Sequence, residues 1–112
     1  MAKIYVACKK LNRAIKIMDE LRFTGHQITY DWTVNYSEDN LAEKAKGELS
    51  GIQDADIFIY LWEPDAESAR YEAGMAMGFG KKIIISGGPD SFFFNLPNIH
   101  RVVSDEDIVK TV

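Results

Sequence analysis

The chain has 112 residues, of which 46% are hydrophobic and 27% charged, with a formal net charge of −4 and a single cysteine. That length suits one domain, residues 1–112, built on one core, and the composition is that of a globular chain. The acidic balance disfavours a nucleic-acid polymer as partner, since such binding needs a basic face to displace counterions. A lone Cys8 leaves no intrachain disulfide and suits a reducing, cytoplasmic setting. The apolar run at residues 4–8 is too short for a signal peptide, and no stretch approaches the roughly 20 apolar residues of a membrane span.

Along the chain the apolar pattern alternates between two periods. Residues 4–8 are a short β-branched run and read as a buried strand. Leu11, Ala14, Ile15, Met18 and Leu21 follow at spacings of three and four, one face of a helix, and Gly25 offers its stop. Residues 27–32 read as a second strand. Ser37 is the expected N-cap of the next helix, with Glu38 and Asp39 in its first turn and an apolar stripe of Leu41, Ala45 and Leu49. Residues 57–62 are almost continuously apolar, as in a strand covered on both faces. Ser68 is the expected N-cap of a helix running to about Phe79, stopped by Gly78 and Gly80. Residues 83–85 form a further strand, and 87–89 a turn. The segment 92–97 is irregular, residues 100–103 are an edge strand, and Ser104 caps a short last helix.

Strict strand–helix alternation with continuous apolar strands predicts a parallel α/β sheet with helices on both faces, a three-layer sandwich. With right-handed crossovers, the flavodoxin-like order 2-1-3-4-5 is the expected topology. Ligands of such sheets bind outside the carboxyl ends of the strands, where the winding reverses. That crevice lies between Ala7, Cys8 and Lys9 at the end of the first strand and the 62–68 segment after the third, with Trp62, Asp65, Glu67 and Ser68.

The chemistry concentrates in the helix that follows. Glu72 lies about one turn inside it, amid Ala73, Gly74, Met75 and Ala76, so open solvent is a poor fit for its side chain. A helix N-terminus favours an ionised carboxylate. A positioned carboxylate can attack an anomeric carbon or stabilise an oxocarbenium-like transition state. It can equally serve only to satisfy a backbone donor or an arginine of its own helix. Lys9, Lys10 and Arg13 stand where a helix start could hold a 5′-phosphate, or form an ordinary solvated face. Cys8 reads as a small buried hydrophobe or a reactive thiol. Trp32, next to Asp31, either stacks on a base or packs under its loop. Asp54 and Asp56 lie at the amino end of the third strand and read as turn residues. His26 and His100 lack metal-ligand spacing, so no metal is expected, and no cofactor motif is present. The run 92–94, three phenylalanines, either seals the core or forms a subunit contact.

Five pieces of the sequence run in an order that resembles the nucleoside 2-deoxyribosyltransferase-like family, which is related to nucleotide N-glycosidases. They are Lys3-Ile4-Tyr5-Val6-Ala7, Gly25-His26-Gln27-Ile28-Thr29-Tyr30-Asp31-Trp32, Ala55-Asp56, Tyr71-Glu72-Ala73-Gly74-Met75-Ala76 and Gly80-Lys81-Lys82-Ile83-Ile84. The resemblance covers roughly residues 3–88. It implies a flavodoxin-like fold, a nucleoside or nucleotide ligand, Glu72 as nucleophile with Tyr5 beside it, and Asp65 or Glu67 in contact with the base. It also favours a homodimer or higher homo-oligomer. The reaction expected is cleavage or transfer at an N-glycosidic bond. A non-catalytic nucleotide or sugar-nucleotide binding module is the alternative, favoured by Arg70 two residues before Glu72 and by Cys8-Lys9-Lys10 where the family carries a glycine. A third use of the fold is a scaffold assembled through residues 92–94.

Overall fold

The structure, a computed structural model, describes residues 1–34 and 36–112. β1 (Lys3–Cys8) is followed by α1 (Leu11–Phe23), β2 (Gln27–Ile28), α2 (Leu41–Asp54), β3 (Ile57–Leu61), α3 (Glu67–Gly78), β4 (Lys82–Ser86), β5 (Ile99–Val102) and α4 (Ile108–Thr111). Short 3-10 turns span Phe92–Asn95 and Asp105–Asp107. The strands are all parallel, in the expected order β2-β1-β3-β4-β5.

Side chains alternate across the sheet, as the two-residue period of a strand requires. Ile4, Val6 and Cys8 of β1 and Ile57, Ile59 and Leu61 of β3 point to one face, where Ala14, Ile17, Met18 and Leu21 of α1 and Ile108 of α4 cover them. Tyr5, Ala7, Phe58 and Tyr60 point to the other, under α2 and α3. Burying each large side chain of these layers contributes roughly 1.5–3 kcal/mol. On the second face the buried residues of α3 are Ala69, Ala73 and Ala76, with Met77 packed partly against the same layer. Side chains as small as these alanines let a helix backbone lie close over a sheet, and Glu72 stands beside one of them.

Several local expectations are corrected. The second strand ends at Ile28 rather than residue 32. Thr29 still donates its backbone N–H to Ile4 O at 2.9 Å. The next carbonyl along β1, Val6 O, is then met by the indole Nε1 of Trp32 at 2.8 Å. A side chain thus supplies the donor that a continuing strand would have supplied.

On α1 it is Ile17, not Ile15, that joins Ala14, Met18 and Leu21 in the core. On α2 the expected stripe of Leu41, Ala45 and Leu49 is exposed, and the face turned inward carries Gly51 and Ile52 instead. The reason is Tyr30, whose ring lies against that helix. A Cβ at Gly47 would come 2.5 Å from Tyr30 Cε1, and one at Gly51 would come 2.7 Å from Tyr30 Cβ. Real Cβ atoms do not approach so closely, so only glycine fits these two positions.

The serine caps expected on α2 and α3 do not form, and Ser104 stands before the 3-10 turn that leads into α4 without a side-chain cap bond. α2 starts after Asn40, in the left-handed region at φ 55°, and α3 starts after Ala66, and neither residue makes a side-chain cap bond. Ser37 instead accepts from Lys44 Nζ at 2.7 Å. α3 ends at Gly78, with Gly80 at φ +71° just beyond. Of the three phenylalanines, Phe94 packs edge-on against Tyr60 and under the Arg101 guanidinium, while Phe92 and Phe93 are 83% and 59% exposed. No helix among the described residues is long and apolar enough to cross a membrane.

Candidate functional site

The buried end of the cleft beside α2 and α3 is built on Tyr5. Its ring is stacked on Phe58 with centroids 5.7 Å apart, and the residue is wholly inaccessible to solvent. Its hydroxyl reaches up between the two helices. There it donates to Glu72 Oε2 of α3 and lies 3.3 Å from Glu48 Oε1 of α2. A hydroxyl has one hydrogen and can fully serve one carboxylate. The second contact becomes a good bond when one of the two carboxyls holds a proton.

The electrostatics point the same way. Burial, and then the hydrogen-bonding Glu48, push the Glu72 carboxyl up to about 8, against the lowering effect of the Tyr5 hydroxyl. Burial and the two carboxylates push the Tyr5 phenol far above its ordinary value, so it remains a donor. Two carboxyls pressed together without a cation share one proton at neutral pH, as like charges at short range require.

Above this cluster opens a cleft of about 790 Å³, within the usual range for small-molecule sites. Cys8 and Lys9 line it from the end of β1, and Asp65, Glu67 and Ser68 from the β3–α3 connection. Tyr30, Trp32 and Tyr36 give it an aromatic wall, and Leu41, Lys44 and Glu48 close it from α2. Asp65 holds φ at 59°, a left-handed conformation that aspartate tolerates better than most residues.

The structure therefore brings Tyr5, Cys8, Lys9, Trp32, Asp65, Glu67, Ser68 and Glu72 to one place. Three other expected residues do not line the cleft. Ala7 is fully buried in the core under α3. Trp62 packs across Gly88, where a Cβ would lie 2.6 Å from its ring. Asp31 is held by Arg22 and Thr33. Burial pushes its carboxyl up, but the bonds from Thr33 and Arg22 outweigh this and hold it below the usual carboxylate range.

The basic group at the start of α1 is also committed. Arg13 donates to both Asp105 oxygens at 2.7 Å and to Glu63 Oε2 at 3.1 Å. Lys10 Nζ lies 3.4 Å from Glu63 Oε1. The Arg13 bonds hold the Asp105 carboxyl below its ordinary value. The Cys8 thiol goes the other way, raised chiefly by burial, which suits a small buried hydrophobe. Arg70, two residues before Glu72, is exposed and does not line the cleft.

Far from the cleft, at the amino end of the sheet, Asp56 accepts from the Lys3 N–H at 3.0 Å and His26 Nδ1 accepts from the Ala2 N–H at 3.0 Å. Among the described residues no group of three or more His, Cys, Asp or Glu side chains is placed to hold a metal ion.

Glu48 went unnoticed in the sequence because it reads there as one more charge on a solvated helix face. The usable signal was its setting, Gly47-Glu48-Leu49-Ser50-Gly51. Two glycines four apart mark the face of α2 that lies against another group, and Glu48 stands between them.

No protein-family model matches the sequence, and no curated protein does. Solved structures do match in fold. CMP N-glycosidase BcmB from Clostridium botulinum superposes with a TM-score of 0.72 at 17% identity, over 97% of this chain and 96% of that one. A 2-deoxyribosyltransferase from the psychrotolerant bacterium Bacillus psychrosaccharolyticus gives 0.69 at 21% identity, over 96% and 90%. At these identities the likeness is one of fold, and it is the fold that the residue pattern implied.

Proposed function

We propose that this chain cleaves or exchanges the N-glycosidic bond of a nucleoside-type substrate. The observation that carries the reading is the Tyr5 hydroxyl set between Glu72 and Glu48 at the closed end of a ligand-sized cleft. It is supported by the shared fold of two proteins whose names place them on N-glycosidic and deoxyribosyl chemistry, and by the ordered residue pattern around Glu72.

The carboxyl pair enters the reaction with one proton. Glu72 passes that proton to Glu48 and, once ionised, attacks the anomeric carbon, with Tyr5 orienting it. The bond from that carbon to the base nitrogen breaks, its electron pair stays on the base, and the base takes the proton from Glu48. Glu48, now a carboxylate, then removes a proton from water or from an acceptor base. The oxygen or nitrogen so activated bonds to the anomeric carbon and expels the Glu72 carboxylate.

The test is a panel of ribo- and deoxyribonucleosides and their 5′-monophosphates, followed by chromatography for free base. Release of base that Glu72→Gln abolishes supports the assignment. Heat protection by a ligand with no release selects the binding module instead. Turnover by Glu72→Gln within a few-fold of the parent would remove Glu72 from the nucleophile's role.

A further inference from the structure

Whether the substrate carries a phosphate is a separate question, and the charges around the cleft bear on it. We infer that the cleft takes an uncharged nucleoside in preference to its 5′-monophosphate. The inference rests on the glycosidic reading above and names the substrate class of that site.

The first observation is the lining itself. Five carboxylates, Glu38, Glu48, Asp65, Glu67 and Glu72, face two ammonium groups, Lys9 and Lys44. The formal balance is −3, or −2 when Glu48 and Glu72 share one proton. A phosphate monoester near neutral pH carries close to two negative charges. Placed in this cleft it meets like charge on three sides, from α2, from α3 and from the β3–α3 connection.

The second observation is where the cations are spent. Lys44 Nζ is turned to Ser37, at 2.8 Å from its carbonyl and 2.7 Å from its hydroxyl. Lys10 and Arg13, at the start of α1, both hold Glu63, whose side chain is only 12% exposed. A helix start with two cations is an anion site, and here the chain's own carboxylate fills it. Arg13 is further saturated by Asp105 and by the carbonyl oxygens of Trp62 and Ser86. Lys9 is left as the lining cation without an ion pair among the described residues, and it is exposed.

A neutral nucleoside fits the same lining well. Its sugar hydroxyls and ring or exocyclic N–H groups are donors, which carboxylates accept strongly, and its base has a face for Tyr30, Trp32 or Tyr36.

The test compares each nucleoside with its own 5′-monophosphate in base release, at low and at high salt. The nucleoside should show the higher kcat/KM, by on the order of tenfold at low salt, and the gap should narrow as salt screens the cleft. Asp65→Asn with Glu67→Gln should narrow it at fixed salt. A monophosphate used as well as or better than its nucleoside overturns the inference and leaves the glycosidic reading standing. If no compound releases base, the glycosidic reading falls, and the charge inference is read from the melting temperature. Protection by the nucleoside and not by the monophosphate upholds it. Equal or greater protection by the monophosphate overturns it, and so does protection by neither.

Discussion

Two clusters of charged side chains lie on opposite faces of the sheet, and they are built on opposite principles. Around Arg13, every charge has its partner: Asp105 and Glu63 accept from the guanidinium, Lys10 completes Glu63, and Ser86 donates its hydroxyl to Asp105 at 2.6 Å. Around Tyr5, two carboxylates stand together over a phenol, with no cation among their hydrogen-bond partners in the described residues. The first arrangement ties the carboxyl ends of β3 and β4 to α1 and the last turn of the chain. The second costs stability, since a buried like-charge pair must hold a proton that water would not supply at neutral pH. Compensated charge marks a brace, whereas uncompensated charge beside a cleft marks a candidate site for chemistry.

The comparison breaks if substitution does not separate the two roles. The largest effect is expected on turnover. Glu72→Gln should keep the fold and lose about a thousand-fold or more in kcat, because the amide cannot attack or offset charge at the anomeric carbon. Glu48→Gln should lose about a hundred-fold, the usual scale for removing an acid–base group. Arg13→Met should do the reverse. It leaves Asp105 and Glu63 without their shared cation, and the cost should be about 3 kcal/mol in denaturant unfolding, with the chemistry of the remaining folded fraction little changed.

The pH dependence sharpens the contrast further. Glu72 has its folded value raised from 4.5 to about 8, so the folded state holds the proton more tightly than the unfolded chain. The stability it lends is complete below about pH 4.5 and is lost as pH rises through about 8. Asp105 is lowered by Arg13, so its contribution is present above its unfolded value and lost as pH falls below it. Unfolding curves across pH 5–9 should therefore slope downward by on the order of 3 kcal/mol in the parent and flatten in Glu72→Gln. A parent curve flat across that range would contradict the shared proton.

A smaller effect is expected at Gly51. An added Cβ meets Tyr30 Cβ at 2.7 Å and Tyr5 Cδ2 at 3.1 Å, so Gly51→Ala should push α2 outward. Overpacking of this kind costs about 1–3 kcal/mol. It should also draw Glu48 away from Glu72 and move the Glu72 titration down, seen as a shift of the acid limb of the rate profile. A stability loss with no such shift would make the glycine purely structural. Smallest of all, Phe92→Ser with Phe93→Ser should leave turnover alone and lower self-association, if the two exposed rings meet a second copy. Light scattering at graded concentration reads this directly.

Much of this was legible in the sequence, for reasons that differ by element. β1, β3 and β4 are buried on both faces, so their apolar runs admit one reading. β2 did not extend to residue 32 because an indole took over a backbone bond, a tertiary substitution that periodicity does not encode. α2 turns inward a different face from the one its leucines suggest, because two glycines carry no hydropathy signal yet decide which side can approach Tyr30. Glu72 could be named because a charge amid small residues is out of place, and Tyr5 only through the resemblance carried by the ordered pieces of sequence. Glu48 went unread because its one signal, the flanking Gly47 and Gly51, carries no hydropathy. Asp31 and Trp62 sit next to strand ends in sequence, but the local bonds of Arg22 and Thr33 and the flat surface of Gly88 turn them away from the cleft.

The indole that closes β1 has an optical consequence. The chain has two tryptophans, and they stand in separate surroundings. Trp32 lies on the cleft wall with its ring 6.2 Å from Tyr36 and its N–H fixed on Val6 O, while Trp62 rests on Gly88 outside it. The emission of Trp32 should follow occupancy of the cleft, and that of Trp62 should stay constant until the chain unfolds. Trp62→Phe would then turn the protein into its own single-colour ligand gauge, usable in stopped flow without a label.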